Sequence, residues 1–200
     1  MPLLDFDLWK RVLLHPKETF AEQKSKASWR SALVPLAIAI FLLFFANFMA
    51  NVLFEPQSSS EGPFFLVGLA VGSVFGILLV FGVLFVSTFV TYEIAVLLGS
   101  KCDYKTHLYV TSLIVVPLLL VEVPLVFVYA LLKTKDLNVT NYLSLAYQFV
   151  AYREIHGFST ARTIALFGIA FFIAVIAVIF LYAGLSLAAP DLVKSLVSAS

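Results

Sequence analysis

Cysteine is almost missing from this chain. Cys102 is the single example, so no disulfide can form within the molecule. Charge is scarce too. Asp, Glu, Lys and Arg make up 12% of the 200 residues, and none of them falls between Glu61 and Glu93. The net charge of +1 gives no indication of a nucleic-acid partner. Catalytic signatures are absent as well: there is no HExxH, no GxSxG and no nucleotide-binding loop. His15, His107 and His156 lie in separate edge segments, without the spacing of metal ligands. No catalytic, cofactor-binding or metal-binding residue is therefore expected, and the chain reads as non-enzymatic. The first thirty residues carry acids, bases and a proline without a long apolar core, which does not fit a secretory signal.

What is present is apolar. Hydrophobic residues make up 62% of the chain and the mean hydropathy is +1.01. A water-soluble domain of this size could not hide so much apolar surface, so the expected solvent is lipid. The predicted fold class is all-α: a polytopic integral membrane helical bundle of about five transmembrane helices, with a cytoplasmic amphipathic N-terminal segment. The expected organisation is a cytoplasmic or interfacial segment at residues 1–30, a transmembrane domain at 31–188, and a short tail at 189–200.

The run from Phe64 to Leu98 is the longest apolar stretch. A bilayer core about 30 Å thick needs roughly 20 apolar residues in a helix, so this run predicts one long tilted helix. Within it Gly68, Gly72 and Gly76 fall four apart on one helix face, where another helix can approach closely. That face is read as a packing surface, and the helix as the central post of the bundle. The packing partner is either another helix of the same chain, a second copy, or another membrane protein.

Before the first span, Leu4, Leu8 and Val12 form an apolar stripe with Trp9 and Leu13 beside them. Asp5, Asp7, Lys10 and Arg11 face the other way. Such a helix suits the membrane interface, with Trp9 at headgroup depth. His15-Pro16 breaks it, and Pro16 opens a second short helix. Trp29 beside Arg30 is read as a further interfacial anchor at the start of the first span, Ala32 to Phe54. Asn47 and Asn51, one turn apart, are expected to bond to a neighbouring helix or to water.

The third span, His107 to Leu132, contains Pro117 and Pro124, which are expected to kink or interrupt it. Glu122 lies between them, and Glu93 lies near the end of the second span. Carboxylates at depth usually face a bundle interior or water. They are read either as a proton or cation relay, or simply as Glu93 about two turns from the basic edge and Glu122 where a broken helix meets an aqueous crevice; a small proton- or ion-coupled transporter or channel using Glu122 is the alternative to a scaffold role. Tyr142 to Tyr152 is either a short fourth span or an interfacial segment, and Thr163 to Leu187 is the last span. Asn138-Val139-Thr140 is a glycosylation sequon close to the membrane. With five spans, ten of the thirteen Lys and Arg residues share the side of the N-terminus; with four spans, nine do. The basic side is the cytoplasmic one, so five spans and a cytoplasmic N-terminus are preferred.

Several edge motifs occur in the order and spacing of one family. The opening Leu8-Trp9-Lys10-Arg11-Val12-Leu13-Leu14-His15-Pro16-Lys17-Glu18-Thr19-Phe20, then Ser28-Trp29-Arg30, resembles prokaryotic Yip-domain proteins. Leu98-Gly99-Ser100-Lys101 is similar to that family's exit from the long helix. Tyr109, Ser112 and Pro117 are similar to its third-span pattern. Ile155-His156-Gly157-Phe158-Ser159-Thr160-Ala161 resembles the turn before its last span. The resemblance implies a five-helix membrane domain with a cytosolic N-terminus. Eukaryotic members work in ER–Golgi traffic, bind prenylated GTPases and pair with related membrane proteins. The aspartate-leucine-tyrosine-glycine-proline motif and the long N-terminal region of that branch are not found here. This speaks against GTPase binding and for a bacterial or archaeal member in the cell membrane; a eukaryotic member would sit in the ER or Golgi membrane. The expected role is a membrane scaffold or interaction protein, with the lipid bilayer as its surroundings.

Overall fold

The computed structural model of the protein describes residues 5–54, 62–133 and 139–189. These residues form α1 (Phe6–Leu14), α2 (Pro16–Gln23), a single 3-10 turn (Lys24–Lys26), α3 (Trp29–Phe54), α4 (Gly62–Leu97), α5 (Tyr104–Leu132), α6 (Val139–His156) and α7 (Thr160–Ala188). No strand occurs among the described residues. The connector at 55–61, the sequon's Asn138 and the tail beyond residue 189 lie outside them.

Four helices are long and apolar enough to cross a bilayer: Trp29–Phe54, Val67–Leu97, Tyr104–Leu132 and Thr160–Ala188. The helix α6, with 18 residues, is not one of them. It carries Asn141, Gln148, Arg153 and Glu154 in a length of about 27 Å at 1.5 Å per residue. Nevertheless it runs back alongside α5. Thr140 at its start meets Glu122, and His156 at its end meets His107. The helices α3 to α7 therefore alternate in direction, and α6 returns the chain to the end where α3 began.

Two local signals explain the turns at that end. After α4, Ser100 N–H bonds to Ala95 O at 2.9 Å and Gly99 has φ +93°. After α6, Phe158 N–H bonds to Arg153 O at 3.0 Å and Gly157 has φ +65°. Both are helix stops of the Schellman type, in which the residue past the helix sits in the left-handed region and a side chain there would be strained. Asp103 then caps α5, its carboxylate accepting from Thr106 N–H at 2.9 Å.

The long apolar helix α4 is one continuous helix, as its composition predicts, but it is not the central post. None of its most apolar window is buried, whereas 28% is buried in both α3 and α5. The most extensive helix pair is α3 with α5, and the first half of α5 from His107 to Leu118 is almost wholly enclosed. Hydrophobicity marks which segments sit in lipid. It does not mark which of them is surrounded by protein, because a lipid-facing and a protein-facing Leu look alike in sequence.

Two more expectations change. The helix α5 continues through Pro117 and Pro124 and is not interrupted at either. Trp9 is not an interfacial anchor. It is 5% exposed and packs with Leu36, Ala39, Ile40 and Val116, roughly two to three turns into α3. Of the stripe Leu4, Leu8 and Val12, Leu4 lies outside the described residues, and protein covers Leu8 and Val12 together with Trp9. α1 and α2 fold against each other, joined by the Arg11–Glu22 ion pair and by Thr19 Oγ1, which donates to Arg11 O at 3.1 Å. The hairpin lies on the bundle: Tyr147 of α6 donates to Leu13 O at 2.8 Å, and Tyr109 of α5 donates to Gln23 Oε1 at 3.1 Å. Trp29, by contrast, is 49% exposed beside Tyr104, with ring centroids 5.9 Å apart.

Removing the Trp9 side chain leaves a large void between α1, α3 and α5. Trp9→Ala is expected to lower unfolding stability in detergent by about 3–5 kcal/mol, and Trp29→Ala by less than about 1 kcal/mol. Chemical unfolding followed by circular dichroism checks this, and equal effects of the two substitutions would contradict the packing described.

Candidate functional site

The most structured polar cluster forms where the α4–α5 turn, the start of α5 and the end of α6 converge. The two Schellman stops deliver Ser100 and His156 to the same place. Ser100 Oγ and His156 Nδ1 are 2.6 Å apart, and His156 Nε2 and His107 Nδ1 are 2.9 Å apart. The Cys102 N–H donates to Ser100 Oγ at 3.0 Å. His107 is fully buried, and its ring stacks on Tyr152 at 4.5 Å, with Tyr92 edge-on at 6.0 Å. Tyr152 OH and Thr111 Oγ1 are 3.1 Å apart, and Thr111 also donates to His107 O. Phe158 stacks on His156 at 5.2 Å and closes the outer side.

The donor pattern is constrained. The His–His contact holds one proton, donated by whichever ring carries it, so one ring's tautomer fixes the other's. Among the described residues His107 Nε2 has no hydrogen-bond partner. If Ser100 donates to His156, the chain of bonds ends in an orphan N–H at His107. If His156 donates to Ser100, it ends in an orphan lone pair. A buried orphan costs about 1–3 kcal/mol, and an unfilled acceptor is the more readily tolerated of the two. Burial holds the His156 imidazole well below its ordinary value, at about 4, so the ring is neutral near pH 7.

Sequence spacing gave no sign of this pair. His107 and His156 lie 49 positions apart, and neither belongs to a recognised ligand pattern. The usable signal was the two Gly-containing helix stops, which say where each chain turns but not that the turns meet. Among the described residues no group of three or more His, Cys, Asp and Glu side chains gathers to hold a metal ion.

The residues singled out from sequence are scattered. Gly76 is filled from within the chain, since a Cβ there would collide with the Phe44 ring. At Gly68 and Gly72 an added Cβ would meet nothing within 4 Å. Glu122 accepts a hydrogen bond from Thr140, the sequon threonine, which is 7% exposed. Glu93 is exposed on α4. Asn47 Nδ2 donates to Leu43 O at 2.9 Å and Asn51 Nδ2 to Asn47 O at 2.7 Å, so among the described residues these amides bond back to their own helix.

Cys102 sits in the α4–α5 turn, half-buried. Burial, with the Asp103 carboxylate beside it, pushes its thiol up to about 11. Since the thiolate is the reactive form, Cys102 is expected to react with a maleimide at pH 7.5 about 100-fold more slowly than an unperturbed thiol. A C102S/K101C variant, which places a thiol at the exposed neighbouring position, supplies the reference. Equal rates for the two proteins would contradict the buried placement.

The family model described as the Yip1 domain matches residues 10–183. No curated protein and no solved structure matches the chain.

Proposed function

The chain belongs to the Yip1 domain family, and from that premise we propose that it is a non-enzymatic membrane scaffold that binds a second transmembrane helix through α4. The observation that carries the reading is the division of the glycine face. Gly76 is closed by Phe44, while the positions of Gly68 and Gly72 stand open. Val67, Val71 and Phe75 beside them are exposed. In lipid no hydrophobic force drives helices together, so association depends on close backbone approach, which small residues permit. Two open glycines one turn apart offer that approach to a helix from another chain. A second copy or a different membrane protein meets the same requirement, and GTPase binding is not part of the reading. Ten basic residues on one side of a five-helix arrangement support a cytoplasmic N-terminus in a cell membrane.

The alternative, transport through Glu122, drew its motive from a broken third span lining a crevice. The unbroken α5 and the Thr140 hydroxyl on the carboxylate favour a locally satisfied side chain over a relay.

Crosslinking in native membranes tests the scaffold reading. The wild type is expected to yield an adduct with another copy or another membrane protein. G68L/G72L is expected to reduce that adduct about tenfold, equivalent to about 1.4 kcal/mol, without shifting the monomer's thermal midpoint. Recovery of monomer alone from the wild type would overturn the reading.

A further inference from the structure

The cluster at the α6–α7 corner has a property that neither family membership nor the scaffold reading requires. We propose that His107 and His156 form an acid-released latch that holds the α6–α7 corner against α5 and the α4–α5 turn when both imidazoles are neutral, and frees it when they take up protons.

The two rings share a single proton across 2.9 Å in a site where His107 is fully buried and His156 is 8% exposed. A second proton would place like charges in contact, away from water, which opposes double protonation of the closed site. No counter-charge is at hand. From α4 the pair is faced by Tyr92; from the turn, by Ser100, with Cys102 behind it. From α6 it meets Tyr152, whose far side stacks on Phe167 of α7, and from the corner Phe158. Thr111 of α5 is occupied by Tyr152 and by the His107 carbonyl. On these elements, and on α2, the 3-10 turn and α7 beside them, the charged residues Glu22, Lys24, Lys26, Glu93, Lys101, Arg153 and Arg162 are all exposed; Asp103 is engaged by Thr106 and Lys105, and neither imidazole makes an ion pair with Glu154 among the described residues. The unpartnered His107 Nε2 means the closed site also lacks an acceptor that would welcome an added proton.

The latch is placed where release matters. His156 is the last residue of α6, Gly157 follows with φ +65°, and α7 begins at Thr160. Only 6% of the most apolar window of α7 is buried. Its buried residues Thr163 and Leu166 lie in its first two turns, next to this corner, and α4 is its other neighbour.

The sign of the pH dependence follows from linkage. His156 is neutral when the corner is closed and has its ordinary value of about 6.5 when it is open. Stabilisation of the closed corner is thus complete above about pH 6.5 and declines as pH falls below it, toward the lowered value of about 4 for His156. At pH 5.0 the released His156 imidazole alone favours the open corner about 30-fold more than at pH 7.5.

The full chain in lipid nanodiscs, followed by hydrogen–deuterium exchange corrected for intrinsic rates, tests this. Exchange at residues 153–158 is expected to rise at least about 30-fold between pH 7.5 and pH 5.0, with residues 36–46 of α3 unchanged. H107N/H156Q replaces both rings with amides that do not titrate, and is expected to remove that pH dependence. Unchanged protection in the wild type, or the same pH response in the double variant, would overturn the latch. Should the variant fail to fold, 15N spectra of the wild-type imidazoles decide, with exposed His15 as internal reference. The account predicts that the two rings become charged in step with the loss of protection. Charging near pH 6.5 with protection intact, or no charging at all at pH 5.0, would refute it.

Discussion

The enclosure of the first half of α5 by protein sets the rest of the arrangement. From His107 to Leu118 this helix is covered by α1 and α2, by the start of α3, by the end of α4 and by α6. Polar groups can be placed inside the bundle here because each meets a partner there: Tyr109 with Gln23, Thr111 with Tyr152, His107 with His156. In hydrocarbon such groups would have no compensation. Past Leu118 the same helix loses its cover, and Val121, Val128 and Leu131 are exposed, as suits lipid.

The bundle is therefore asymmetric along its length. One end is a protein core that gathers seven helices around Leu8, Phe20, Ala32, Ile94, Ile114, Tyr152 and Leu166. The other end presents apolar side chains outward. α4 and α7, with 0% and 6% of their most apolar windows buried, are the lipid-facing flanks. This division relates the two readings of function. The open Gly68 and Gly72 lie on a flank, where a partner helix can reach them, while the histidine pair lies at the core end, where it joins the end of α6 to α5 and the α4–α5 turn.

Much of the architecture was legible in the chain. Composition identified lipid as the solvent, the charge-free run identified α4, and His15-Pro16 identified the break between α1 and α2. The edge motifs named the family. What could not be read was which apolar surfaces face protein. Trp9 has the pattern of an interfacial anchor, and its stripe is genuinely amphipathic, but the surface that covers the stripe is α3 and α5, not headgroups. The prolines of α5 were expected to interrupt it, yet neither ends the helix. The histidine pair was invisible for a different reason: its members come from segments with no local relation, and only the antiparallel return of α6 brings them together.

The central claim is that the N-terminal hairpin is part of the bundle core and does not float at the membrane surface. Fluorescence quenching of Trp9 in a Trp29→Phe protein reconstituted into bilayers tests this most directly. The account predicts emission shielded both from aqueous iodide and from lipids brominated near the headgroup. Strong quenching of Trp9 by the shallow brominated lipids would show that α1 lies among headgroups, and would contradict it.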